Sequence, residues 1–374
     1  LNELSTVSTR TFSVEETQKF AAAVNDPARM ASSFAGVVTA GDGNNHISIR
    51  GNSPNGLLWR MEGVEIPNPN HFSNVGTAGG GISILSSQLL SNSDFSTGSF
   101  ASEYGNALSG VFDLRLRKGN NEKREYTVQL GVLGMDVAAE GPFKKGYEGS
   151  YLINYRYSTL NILGKIGVPI GDASTNFQDL SFNISLPTKR LGKFGIFGFG
   201  GLSYQTTTAE KDSVRWQEDA FFRLNTRFYS NTGGIGITNM KLFKNQSYLK
   251  TALVFSGTEN GYYQDELQDD YSTEIREYDQ RFVQQKATIT STYTWKIDSR
   301  NNIRTGIILN QLGYKLKQYD MEDTTVLLEK INEDGYTQTI QEYFQWNHRM
   351  SEKWTTNIGI HYFQMLLNNT QSLE

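Results

Sequence analysis

The chain has 374 residues, none of them cysteine, and a formal net charge of −4. The lack of cysteine excludes a disulfide scaffold and thiolate metal sites, and the mild acidity argues against a nucleic-acid binder, which would carry a basic stripe. No apolar run reaches the ~18 residues of a membrane-spanning helix, although the chain is rich in aromatics, with 19 Tyr and 21 Phe.

Residues 1–120 mix short apolar runs with glycine and small polar residues. The chain opens at "LNELSTVSTRTF" with no signal peptide and closes at "NNTQSLE", which reads as a piece cut from a longer protein. In "SVEETQKFAAAV" (13–24) the apolar spacing predicts a helix, with Ser13 and Glu16 placed as a capping box. "DPARMASSFA" (26–35) predicts a second short helix, Asp26 capping it and Pro27 at its first position. Short strands are expected at 46–50, 57–61 and 108–117, giving a small α+β unit.

From about residue 123 the pattern becomes strict alternation. In 177–186, Leu180, Phe182, Ile184 and Leu186 share one face, while Asp179, Ser181, Asn183 and Ser185 share the other. In 286–297, Ile289, Tyr293 and Trp295 oppose Thr288, Thr290, Thr292 and Thr294. Tyr151, Ile153, Tyr155 and Tyr157 oppose Asn154 and Arg156. Each strand thus has one apolar and one wet face. Short turns near 142–147, 188–192, 244–246, 298–301 and 350–352 alternate with long polar loops near 161–175, 207–219, 262–275 and 321–335. Short turns on one rim and long loops on the other fit an up-and-down transmembrane barrel. About eleven strands are expected, many longer than the ~9–11 residues that cross a bilayer, with a tight turn at 132–134 separating the first two and the last strand at 353–370. Leu180, Phe182, Ile184, Tyr151, Ile153, Ile289 and Tyr293 should face lipid, and Asp179, Asn183, Arg156, Thr290 and Thr292 the lumen. A soluble sandwich or propeller would bury the apolar faces between sheets instead; strand length and the low mean hydropathy of −0.47 speak against it.

Other patterns carry no chemistry. "GTAGGGIS" (76–83) lacks the Lys-Ser/Thr of a phosphate loop. "GDGNNH" (41–46) lacks calcium-loop spacing. His46, His71, His348 and His361 are scattered without ligand spacing. No catalytic constellation, cofactor motif or metal site is expected. Trp295, Trp346 and Trp354, near the short turns, suit an interfacial aromatic girdle.

The stretch "ISIRGNSPNGLLWRMEGVEIP" (47–67) resembles the plug of the TonB-dependent outer-membrane receptor family. There an Ile-Arg-Gly turn leads to Asp-Gly-Val-Pro; here Glu62 replaces the aspartate. "LLSNSDFSTGSFASEYGNALSGVFDLRLRKG" (89–119) resembles the family's Tyr-Gly segment, with Ser109-Gly110 in place of its double glycine. "NDPARMASSFAGVV" and "PNPNHF" look most like receptors of the Bacteroidota branch. The resemblance implies a mainly β fold: a small α+β plug domain over 1–120 inside an antiparallel transmembrane β-barrel. The first half of that barrel, about 11 of about 22 strands, would run over 123–374. It implies a bacterial outer-membrane location and import of a bulky ligand, whether siderophore, cobalamin, glycan or peptide. Its partners would be TonB through an N-terminal box outside this chain, outer-membrane lipid, and a surface lipoprotein. Arg50, with Arg115 and Arg117, would latch the plug to wall carboxylates. Asn68, Asn70, His71 and Phe72 would form a ligand platform at the plug apex, and Tyr262, Tyr263, Tyr271 and Trp216 are further aromatic candidates. A surface-binding or protein-export role for the same plugged barrel is the alternative.

Overall fold

The computed structural model describes residues 8–13, 16, 26–39, 41, 44–86, 88–131, 134–160, 174–322, 326–367 and 370–373. The smaller body precedes residue 120. Its strands are β1 (Thr9–Phe12), β2 (Val37–Thr39), β3 (Ile47–Ile49), β4 (Leu57–Met61), β5 (Val64–Glu65), β6 (Asn70–His71), β7 (Ile82–Ser83), β8 (Ser93–Ser96) and β9 (Gly110–Leu114). Five of them form a mixed sheet in the order β1-β8-β9-β4-β5. The centre is the parallel pair β4–β9, buried on both faces as parallel strands under crossovers must be. Trp59 stacks on Phe112 at 4.5 Å, and Phe95 lies 4.4 Å from Phe112 on the neighbouring strand.

The helix-start signals fold as their chemistry dictates. The Asp26 carboxylate accepts from Ala28 N at 2.8 Å and caps α1 (Pro27–Ala31), shorter than the periodicity predicts. Ser13 and Glu16 exchange reciprocal bonds of 2.9 and 3.1 Å, a formed capping box, while the rest of the predicted 13–24 helix lies outside the described residues.

The second body is one twelve-stranded antiparallel sheet in chain order. It comprises β10 (Glu125–Leu130), β11 (Gly134–Pro142), β12 (Ser150–Ser158), β13 (Ser174–Pro187), β14 (Lys193–Thr207), β15 (Leu224–Leu242), β16 (Ser247–Leu267), β17 (Glu274–Lys296), β18 (Asn301–Glu322), β19 (Val326–Arg349), β20 (Thr355–Met365) and β21 (Thr370–Leu373). Among the described residues its first and last strands do not pair with each other, so the wall is open. Two of the predicted loops prove to be strand. Most of 262–275 and 321–335 continues β16–β19, whose 21 to 24 residues are about twice what a bilayer needs. The 207–219 connection holds α2 (Ser213–Glu218); most of the 161–175 loop lies outside the described residues. The predicted last strand ends early, at Met365, and turns back into the four residues of β21.

The wall is inside out relative to a soluble sheet. Ile289, Phe255, Ile235 and Ile358 are about half exposed on the outer face, whereas Thr288, Asn310, Gln341 and Gln345 are buried on the inner face against or near the plug. Contacts fix the orientation, because Arg156 donates to the plug carbonyl of Ser83 and Lys286 reaches plug Glu65. Thr290 faces inward as the alternation predicts, and it is buried where wall and plug face each other.

The outer belt is expected to meet lipid. Ile289→Arg puts a charge on it at ~2–4 kcal/mol near mid-membrane, so it should sharply reduce the assembled, heat-modifiable fraction in outer membranes. Gln284→Arg, at an exposed inward position of the same strand, should leave that fraction unchanged.

Candidate functional site

The chemistry of this molecule concentrates where the small body meets the wall. The stretch 47–67 builds much of that surface. After β3 the backbone turns through Arg50 and Gly51, both at positive φ (52° and 80°), and after β4 through Glu62 and Gly63 (54° and 85°). Arg50 serves the turn itself: its N–H donates to Gly36 O at 2.7 Å. Among the described residues its guanidinium reaches the Ser8 and Thr97 hydroxyls, both at 3.5 Å. The second turn aims the Glu62 carboxylate at two donors, Leu116 N at 2.9 Å and the wall's Lys250 Nζ at 3.2 Å.

Three further ion pairs and a histidine–carboxylate hydrogen bond cross from plug to wall. Glu103 is buried between Arg60 of β4, at 3.3 Å, and Arg304 of β18, with which it makes a short charge-assisted bond. Lys286 of β17 pairs with Glu65 at 3.1 Å. Arg117 grips Glu140 of β11 with both terminal nitrogens, at 2.7 and 2.8 Å. His71 Nε2 lies 2.9 Å from Asp179 Oδ2 of β13, and Arg156 of β12 binds the same oxygen at 2.6 Å. The wall thus offers cations to plug carboxylates at three places and carboxylates to plug donors at three, the third being Asp136, which accepts from Ser86 Oγ at 3.3 Å.

Burial sets the electrostatics of the two enclosed groups in opposite ways. Desolvation alone would push the Glu103 carboxyl up, but Arg304 and Arg60 on either side hold it below its ordinary value. Arg60 stacks over Tyr104 at 4.7 Å, and the Tyr104 hydroxyl donates to Asp113 at 3.2 Å, so the ion pair is part of a larger network. For His71 burial dominates. It pushes the ring below its ordinary value, the hydrogen bond to Asp179 opposes that, and Arg156 reinforces it. The ring is therefore neutral near pH 7 and donates from Nε2.

The residues singled out in the sequence fall apart into two groups. Of the three arginines, Arg117 meets a wall carboxylate. Arg115 pairs instead with Asp94 inside the plug at 2.9 Å. Arg50 meets no carboxylate among the described residues. Asn68, Asn70, His71 and Phe72 come together but form no open platform. Asn68 Nδ2 donates to Thr77 O and Gly79 O at 2.8 and 2.9 Å, and Asn70, fully buried, bonds Asn45 and Asn68. Phe72 N donates to the wall's Ser203 Oγ at 3.2 Å, and Ser73 reaches Ser230 at 3.2 Å. The exposed tip of this loop is 74–76. Of the aromatic candidates, Trp216 and Tyr271 meet at 5.1 Å in the outer loops, Tyr263 stacks under Arg276 on the outer face, and Tyr262 points inward.

Sequence reasoning missed Glu103, Arg60, Arg304, Lys250 and Lys286. The last three did carry a signal: each is a cation at an inward position of its strand's alternation. Between Lys250 and Arg304 and the plug lies a polar cavity of about 540 Å³, lined among others by Arg60, Glu62, Arg115, Tyr248, Lys250 and Arg304.

Arg304→Met leaves Glu103 buried with one partner. Removing one member of a buried pair costs ~3–5 kcal/mol, so the denaturant needed to expose the plug to protease should fall sharply, and Glu103→Gln added to Arg304→Met should restore part of the loss. His71 gives a pH dependence of defined sign. The unfolded ring takes up a proton below ~6.5 while the folded one does not, so plug protection should be full above that pH and decline as pH falls. His71→Asn should flatten that decline.

No protein-family model matches the sequence, and no curated protein does. Solved structures match the fold. The ferric enterobactin receptor PfeA of Pseudomonas aeruginosa superposes with a TM-score of 0.64 at 13% identity, over 98% of this chain and 58% of that one. The siderophore receptor PirA of Acinetobacter baumannii gives 0.63 at 15% identity, over 98% and 58%. The outer membrane transporter YddB of Escherichia coli gives 0.66 at 10% identity, over 98% and 57%. The chain thus spans less than two thirds of the length of these proteins. It has the fold of the TonB-dependent outer-membrane receptors, a plug seated against part of a barrel wall.

Proposed function

We propose that this chain is the plug and the first part of the barrel of an outer-membrane receptor that imports a bulky ligand by energy coupling through TonB. The observation that supports this best is the character of the plug–wall interface. An apolar patch does exist, where the wall's Leu152, Phe197, Phe199, Ala252 and Val254 join the buried cluster of the plug. Most other contacts are hydrogen bonds and ion pairs: Glu103–Arg304, Glu62–Lys250, Glu65–Lys286, Arg117–Glu140, His71–Asp179 and Ser73–Ser230. Polar partners separated by movement can be taken up by water, so such a plug can shift without exposing a core. A permanent seal would favour apolar packing, since a buried ion pair adds little net stability over well-packed hydrophobes. The inner-membrane proton gradient would supply the work, and extracellular ligand would enter from the rim where the strands project.

The test uses the absence of cysteine from the chain. Ser73→Cys places the only thiol of these 374 residues at a position that is buried against the wall, and the receptor without the substitution is the labelling control. In cells producing the full receptor, labelling by a membrane-impermeant maleimide should need both TonB and the proton gradient. Equal labelling in cells lacking TonB would sink the import reading in favour of a static surface-binding role.

A further inference from the structure

Above the plug the wall continues inward-facing chemistry of a particular kind. Asn260 of β16 fixes the level of the plug apex, donating to Ser73 O at 2.5 Å. The next inward side chains on β16 are Tyr262 and Gln264. Opposite them on β17 stand Tyr278 and Gln280, and on β18 Asp320. A bulge in the β16–β17 register at Gln264/Asp265 leaves Glu277 facing inward, where it accepts from Gln264 Nε2 at 2.8 Å. These six residues and Met321 line a cavity of about 760 Å³. The two phenol rings lie 5.9 Å apart at 56°, and each hydroxyl donates to the neighbouring glutamine oxygen, at 3.3 and 3.1 Å.

The placement of cations is the telling feature. Among the described residues of β16–β18 beyond the plug contacts, Arg276, Arg281, Lys315 and Lys317 all stand at outward positions of the alternation. Arg276 and Arg281 are also paired there, with Asp265 and Glu259. The inward Lys286 is neutralised by Glu65. The inner surface above the plug is therefore aromatic, rich in amides and carboxylates, and without an unpaired cation on these strands.

We infer that this cavity is a subsite for a neutral, hydroxyl-rich ligand of the oligosaccharide class; the inference rests on the import reading. Tyrosine rings present flat apolar faces to the C–H faces of a sugar ring, and the phenols keep a polar rim. Carboxylate and amide oxygens accept from hydroxyls, and amide N–H groups donate to them. A few convergent polar groups on an aromatic lining is the usual build of a small-molecule site. A polyanionic ferric chelate would meet Glu277 and Asp320 there and no unpaired cation on the inward face of these three strands.

The experiment is a binding screen of the purified full receptor in detergent. One arm is an array of fluorescently tagged neutral oligosaccharides, such as malto-, gluco- and manno-oligosaccharides. The other is ferric tris(2,3-dihydroxybenzoate) as the polyanionic probe. At least one neutral oligosaccharide should bind. Tyr262→Ala and Tyr278→Ala should each weaken it at least 10-fold, Tyr262→Phe should keep the stacking and most of the affinity, and heat-modifiable migration should be unchanged in all three. Binding of the ferric probe that is lost in Tyr262→Ala would overturn the inference, as would a blank array or sugar binding that ignores both alanine variants. The Ser73→Cys labelling reads the import mechanism separately. TonB-dependent labelling with no oligosaccharide binding refutes the ligand class alone, and Tyr262-sensitive sugar binding with TonB-independent labelling keeps the subsite and refutes import.

Discussion

The polar inner face of the wall is the constraint from which the rest follows. A sheet that presents Ile, Phe and Leu outward must present its alternate residues, Thr, Asn, Gln and a few charges, inward. Whatever fills that interior is met by hydroxyls, amides and ions. The plug is accordingly a body with two kinds of surface. Its own centre is apolar, the Trp59–Phe112–Phe95 stack on the parallel pair β4–β9. Its perimeter is polar, and its carboxylates Glu62, Glu65 and Glu103 point out toward wall cations.

Much of this was legible in the sequence, and the failures have physical causes. Alternation gives the strands and their sidedness wherever one face meets apolar surroundings, as at Leu180/Asp179 and Ile289/Thr290. The capping signals at Ser13–Glu16 and Asp26 are local chemistry and read true at short range. Beyond the outer belt the strands lose their apolar face, because nothing apolar surrounds it, yet their backbone ladders continue. Polar strand therefore looks like loop, and 262–275 and 321–335 read as connections. The ionic contacts were hidden for another reason. Glu103 and Arg304 are 201 residues apart, and only the register of the wall around the plug brings them together. A plug arginine can be seen in a sequence, but its partner cannot. That is why Arg117, Arg115 and Arg50 looked alike while their surroundings are a wall carboxylate, a plug carboxylate and two hydroxyls. The apex residues misled in the opposite direction: Asn68, Asn70 and His71 are polar because they brace a buried turn, not because they face a ligand.

The two ends of the plug are held by different chemistry. Toward the short-turn rim the contacts are ionic: Arg304–Glu103, Lys250–Glu62 and Arg117–Glu140. Toward the rim of the projecting strands they are chiefly hydrogen bonds to small hydroxyls and amides, at Ser203, Ser230 and Asn260, with His71 and Asp179 between. The buried Glu103 site is costly to break one-sidedly, whereas the serine contacts are each worth about 1 kcal/mol. The apex is thus the end that yields to a modest input.

Under the import reading, a pull would act on the N-terminal side of the plug, and the topology says what it meets first. β1 is an edge strand, paired only with β8 through four residues from Thr9↔Ser96 to Phe12↔Ser93. A strand at an edge can be peeled one pair at a time, and no other strand has to leave before it. β8 would follow only after the Arg115–Asp94 bridge, and β9 and β4 lie inside the sheet, with Glu103 and Arg60 tying β4 to the wall through Arg304. The order of resistance therefore rises from the terminal strand inward. A force large enough to free β1 would leave the parallel core and its ionic anchor in place, so a partial opening along the β1–β8 side is the first consequence of this sheet order.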